Sequence, residues 1–218
     1  MMMKAFCNRF RNKFGMTLSL LFISLFLVSC TTEVTLSVQK DDSVEIHFEG
    51  GAGEAFTKMI SSAAGVGMNA DGANVVDTEA VSYELAKAGF SNVKVEQKAG
   101  GLVLINMSDK KSSSYIFTSG IIKSEKGKLS AAITRKSLED FYNSADEQTR
   151  MTLDLFLAPV FNNETMSEGE YLEMLGSFYG DGAADEVSKS VVKINLISKD
   201  GSKQTLKYPL SQILCGNL

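Results

Sequence analysis

The chain has 218 residues, with 22 Lys+Arg, 26 Asp+Glu, one His and three Cys. Apolar residues make up 44% and charged residues 22%, ordinary globular values that exclude wholesale disorder. A pI near 5.2 argues against a nucleic-acid binder, and a single His excludes a His-rich metal site.

Residues 1–13 carry Lys4, Arg9, Arg11 and Lys13 and no acid. An almost purely apolar run, Phe14 to Val28, follows. Fifteen residues are short for a transmembrane helix, which needs about 20, but suit the hydrophobic region of a signal peptide. The run ends in Leu27-Val28-Ser29-Cys30. This tetrad resembles the lipobox of bacterial lipoproteins, with Val28 departing from the commonest Ala or Ser.

The resemblance implies that residues 1–29 are removed as a signal peptide and that Cys30 carries acyl chains such as palmitate. The mature protein would then have 189 residues, with 18 basic against 26 acidic side chains and a net charge of −8. It implies a lipid-anchored envelope protein at the cell membrane or outer membrane, facing the periplasm or exterior. Cys7 would leave with the signal and Cys30 would become a thioether. Only Cys215 would remain, which allows no internal disulfide. Within Ile213-Leu214-Cys215 that cysteine reads as a small buried hydrophobe.

After Cys30, two alternating runs, Val34/Leu36/Val38 and Val44/Ile46/Phe48, flank the polar turn 39–43 and predict an amphipathic hairpin. His47 alternates onto its polar side with Glu45 and Glu49. Gly50-Gly51-Ala52-Gly53 should break the strand. Phe56, Met59, Ile60 and Ala63 keep the helical period, and residues 64–76 read as a loop. A helix is expected from Thr78 to Ala88, with Gly89 at its left-handed C-cap and Phe90 folding back. Strands are expected at 92–97, 102–107, 114–122 and 128–134, with a turn at 123–127.

Capping-box spacings at Ser137/Asp140, Ser144/Glu147 and Ser167/Glu170 mark helix starts, and Pro159 should end or kink the middle helix. A second hairpin closes the chain. Val192/Ile194/Leu196 and Leu206/Tyr208/Leu210 flank Lys199-Asp200-Gly201-Ser202. Its turn shares a Lys-Asp-(Asp/Gly)-Ser pattern with the first. Hairpins and helix runs without βαβα alternation predict an α+β fold, a mostly antiparallel sheet with helices packed on one face. Residues 30–118 resemble LppM-type lipoproteins in this strand-turn-strand-helix order. Residues 30–218 read as one envelope domain with room for two subdomains dividing near 119–136.

No chemistry-bearing motif emerges. There is no G-x-S-x-G, and S-x-x-K occurs at Ser37/Lys40, Ser108/Lys111 and Ser190/Lys193 without K-T-G. Asn69, Asp71 and Gly72 mimic part of an EF-hand loop but lack its anchoring carboxylates. The segment 50–53 before a helix lacks the G-K-[ST] of a phosphate loop. Neither a cofactor nor a metal is expected.

The apolar surplus is helical. Leu153 to Phe161 is apolar on more than one face. Core packing is the bland explanation. The sharper one is a hydrophobic interface or pocket formed by Met151, Leu155, Phe156, Leu157, Phe161, Leu175 and Phe178. The expectation is thus a non-catalytic binding or scaffolding module with an envelope protein partner. Alternatives are a carrier of a small hydrophobic ligand or lipid, and a hydrolase without a recognised motif.

Overall fold

Strict alternation of apolar and polar residues builds the centre of the molecule. In β1 (Thr31–Val38) and β2 (Val44–Gly51), Leu36 lies opposite Ile46 and Val38 opposite Val44. Successive side chains of a strand point to opposite faces, so these four and Phe48 line one buried face. The hairpin of β7 (Val191–Ile197) and β8 (Lys203–Pro209) repeats the device, burying Val192, Ile194 and Leu196. With β3 (Ser91–Gln97) and β4 (Leu102–Asp109) they form a six-stranded sheet in the order β3-β4-β2-β1-β7-β8. The computed structural model describes residues 31–51, 53–55, 77–98, 102–110, 114–144, 150, 154 and 166–218.

Among the described residues there are eight strands and six helices, an α+β fold with a mostly antiparallel sheet. Its one parallel seam joins β1 to β7, running from Thr31 opposite Val191 to Ser37 opposite Ile197. A seam between the first and seventh strands leaves no local trace in the sequence, because nothing near either strand encodes the other.

The helices supply the opposing wall of the core. In α1 (Thr78–Lys87) the Asp77 side chain accepts the Ala80 N–H at 2.9 Å. Its C-terminus closes as expected: Gly89 takes φ +97° and the Phe90 N–H reaches the Leu85 carbonyl at 3.1 Å. Ser167 and Glu170 form the expected reciprocal capping box at the start of α4 (Glu168–Tyr179). Gly180, at φ +89°, separates α4 from α5 (Asp181–Lys189), and α6 (Leu210–Cys215) packs against both. Tyr171, Leu175, Ala183, Val187, Ile213 and Leu214 share one hydrophobic cluster with the buried sheet face. A small two-stranded sheet, β5 (Ile122–Glu125) with β6 (Lys128–Ala131), adds Ile122 and Leu129 to that cluster.

Three expectations are corrected. Of the strand expected at 114–122, only Ile122 is in a strand, as the first residue of β5. The buried Asp109 carboxylate accepts the Ser114 N–H at 2.7 Å, and Phe117 and Thr118 donate back to the Ser114 carbonyl. The result is the helical turn α2 (Tyr115–Thr118), which ends near Gly120 at φ +76°. The helix expected at Ser137 begins earlier, as α3 (Arg135–Ser144). Thr134 is the cap: the Ser137 N–H donates to Thr134 Oγ1 at 3.1 Å and the Thr134 N–H to Ser137 Oγ at 3.0 Å. Leu210 does not extend the last strand but opens α6, its N–H donating to the Ser190 carbonyl at 2.9 Å. The helix expected at 56–63, the loop 64–76, the spacing Ser144/Glu147 and the helix around Pro159 lie outside the described residues.

The two hairpin turns are chemical copies. Asp41 Oδ1 accepts the Ser43 N–H at 3.1 Å and hydroxyl at 2.6 Å. Asp200 Oδ1 accepts the Ser202 N–H at 2.9 Å and hydroxyl at 2.6 Å. Asp42 (φ +65°) and Gly201 (φ +82°) fill the same left-handed position. The closing pair Val38–Val44 is buried, whereas Ile197–Lys203 is not. The same turn is therefore mounted on opposite faces, and Lys199 Nζ ties the two through Asp42 Oδ1 at 2.7 Å.

Candidate functional site

Among the described residues, the face of the sheet turned away from the core, here called the open face, carries mainly polar side chains. One residue from each strand forms a row across it: Lys94, Asn106, His47, Thr35, Asn195 and Thr205. Lys94, Asn106 and Thr205 are exposed, and the other three are half-buried. His47 Nδ1 lies 2.7 Å from Asn106 Oδ1. Its Nε2 lies 4.0 Å from Glu49 Oε2. Asn195 Nδ2 donates to Glu33 Oε1 at 2.6 Å and to Thr35 Oγ1 at 3.3 Å, and its Oδ1 accepts from Thr205 at 2.8 Å.

Charge is sorted across this face. Glu33, Glu45 and Glu49 stand on β1 and β2, and Lys193, Lys203 and Lys207 on β7 and β8. Lys193 Nζ donates to Glu33 Oε2 at 2.9 Å. That bond, the amide of Asn195 and the charges of Lys193 and His47 hold the Glu33 carboxyl below its usual range, against desolvation. On β3, hydrogen bonds from Lys94 (2.8 Å) and Lys98 (2.7 Å) hold Glu96 down to about 2. Carboxylates fixed in this way are poor proton acceptors at neutral pH, where a general base works best with a pKa near 7. The arrangement suits recognition: a hydrogen-bonded polar row flanked by acids on β1 and β2 and by lysines on β7 and β8.

Gly50 and Gly51 remain within β2, opposite Val103 and Leu102. Beyond them, Glu186 of α5 accepts the Ala55 N–H at 2.9 Å. A carboxylate of the chain itself thus takes the backbone N–H that a phosphate would need after the glycine run.

Cys30, Met151, Leu155, Phe156, Leu157 and Phe161 lie outside the described residues. The other two members of the expected apolar site differ in environment. Leu175 is 0% exposed in the core, and Phe178 is 76% exposed, with its ring centroid 6.4 Å from that of Tyr179. Cys215 is buried, as expected, and burial pushes its thiol pKa up. Among the described residues no group of three or more His, Cys, Asp or Glu side chains could hold a metal, and no helix is long and apolar enough to cross a membrane.

No family model, curated protein or solved structure matches the chain. Alternation placed His47, Glu45 and Glu49 on the open face from sequence alone. It missed Asn106, Glu33, Lys193, Asn195 and Thr205, whose partnership depends on long-range register. The one available signal was polar residues at every second position of otherwise apolar runs, such as Asn106 after Ile105.

Proposed function

We propose that the protein is a lipid-anchored component of a bacterial cell envelope that acts by binding a protein partner through its open sheet face. The anchor is supported by the Leu27-Val28-Ser29-Cys30 tetrad after a basic and then an apolar segment.

The observation that carries binding over catalysis is that two carboxylates of this face, Glu33 and Glu96, are already held in ion pairs. Glu33 is engaged by Lys193 and Asn195, and Glu96 by Lys94 and Lys98. Such groups are positioned to match a complementary surface, where charge fixes register and encounter rate more than raw affinity. The anchor is tested with Cys30→Ala in a bacterial host fed labelled palmitate. Labelling should disappear and the protein should leave the membrane fraction. Unchanged labelling would refute the anchor at Cys30.

A further inference from the structure

The binding surface described above is complementary to itself. Consider a second copy laid face to face on the first, related by a two-fold axis parallel to the strands and passing between β1 and β7. This rotation keeps strand direction and exchanges the two sides of the seam. β1 of one copy then lies over β7 of the other, and β2 over β8. The registers fix what meets: Glu33 over Lys193, Glu49 over Lys207 and Glu45 over Lys203. In the row between, Thr35 meets Asn195 and His47 meets Thr205. Every acid on the overlapping strands of this face meets a lysine, and the symmetry repeats each match. An axis one strand over, between β2 and β1, would instead set Glu49 over Glu33, a like-charge clash.

We propose that the open face pairs with the same face of a second copy, as a weak, charge-matched dimer about the β1–β7 seam. Strand spacing and rise give the four overlapping strands about 19 Å by about 23 Å, on the order of 450 Å² per copy. The two copies together contribute about 900 Å², below the range of about 1,200–2,000 Å² for stable complexes, so the pair is transient. The matched acids and lysines, of which Glu45, Glu49, Lys203 and Lys207 are exposed, select it rather than apolar burial. The axis runs along the strands, so both copies present Thr31 at the same end. Two chains held in one membrane satisfy this geometry, and shared anchoring raises their effective concentration. The pairing itself does not require the anchor, so its failure would leave the lipidation reading untouched.

The test is sedimentation equilibrium of the full chain in density-matched micelles, over a concentration series, with Glu49→Lys, Lys207→Glu and the double variant. The wild type should approach twice the monomer mass as concentration rises. Each single reversal should weaken association by roughly tenfold or more, since the two-fold repeats the clash. The double variant should restore it, because the exchanged charges again meet as opposites across the interface. A wild type that stays monomeric, single variants that associate normally, or a double variant that is not rescued would each overturn the proposal.

Discussion

Glu186 and Gly53 are locked together: the carboxyl group lies 2.5 Å from where a Cβ on Gly53 would sit, while Oε1 holds the Ala55 N–H at 2.9 Å. A side chain of α5 therefore anchors the backbone at Gly53–Ala55, more than a hundred residues earlier. Gly53→Ala must push the carboxylate aside, and Glu186→Ala removes it. Each should cost about 0.5–2 kcal/mol, the range for a lost helix cap. Because both break the same contact, the double variant should cost little more than either alone in urea unfolding. Full additivity would show that the two residues act separately.

Leu175 and Phe178 lie three residues apart on α4 and should respond oppositely to substitution. Leu175→Ala empties space in the core and should cost about 2–5 kcal/mol. Phe178→Ser, at an exposed site, should stay within about 0.5 kcal/mol. Denaturant midpoints check both, and a large loss at Phe178 would mean that this ring is buried in solution.

Glu96 gives a pH signature. Its carboxyl is held at about 2 in the fold, against an ordinary value of 4.5. A depressed folded-state pKa contributes stability above the unfolded value, and that contribution fades as pH falls from about 4.5 towards 2. Glu96→Gln should therefore flatten the acid limb of stability against pH in that window. Its lysine partners are exposed, so concentrated salt should shrink the difference. Equal acid limbs in low salt would show that the two lysines do not hold Glu96 in solution.

The second hairpin turn tests backbone handedness. Gly201 sits at φ +82° with open space around its Cα, so Gly201→Ala meets no clash but incurs the left-handed penalty of about 1–2 kcal/mol. Gly201→Asp recreates the first turn, where Asp42 holds φ +65°. It should cost less than alanine, because Asp tolerates this region. Thermal unfolding of the two variants decides the order.

What was legible in the sequence was local. Both hairpins, the Gly89 cap and the Ser167/Glu170 box depend on residues within a few positions of one another. The strand expected at 114–122 failed because Tyr115 and Phe117 alternate like strand residues, while the decisive contact, Asp109 to Ser114, nucleates a helical turn. α6 was missed although its signals were present, with Pro209 before it and Gly216 at φ +76° after it. The continuing Leu206/Tyr208/Leu210 alternation outweighed them. The polar row on the open face was half visible. Its β2 members could be read, but the β1–β7 register joins residues 160 positions apart.

That register also sets an order of assembly. β1 is an interior strand, with β2 on one flank and β7 on the other. A chain emerging N-terminus first can zip β1 to β2 early, but the second edge of β1 stays bare until Val191–Ile197 arrives. Until then the hairpin offers unpaired backbone groups and the apolar row Leu36/Val38, a template for pairing with other chains. Products truncated anywhere before β7 should therefore be sticky rather than merely incomplete, and the last strands act as the latch that makes the first one safe.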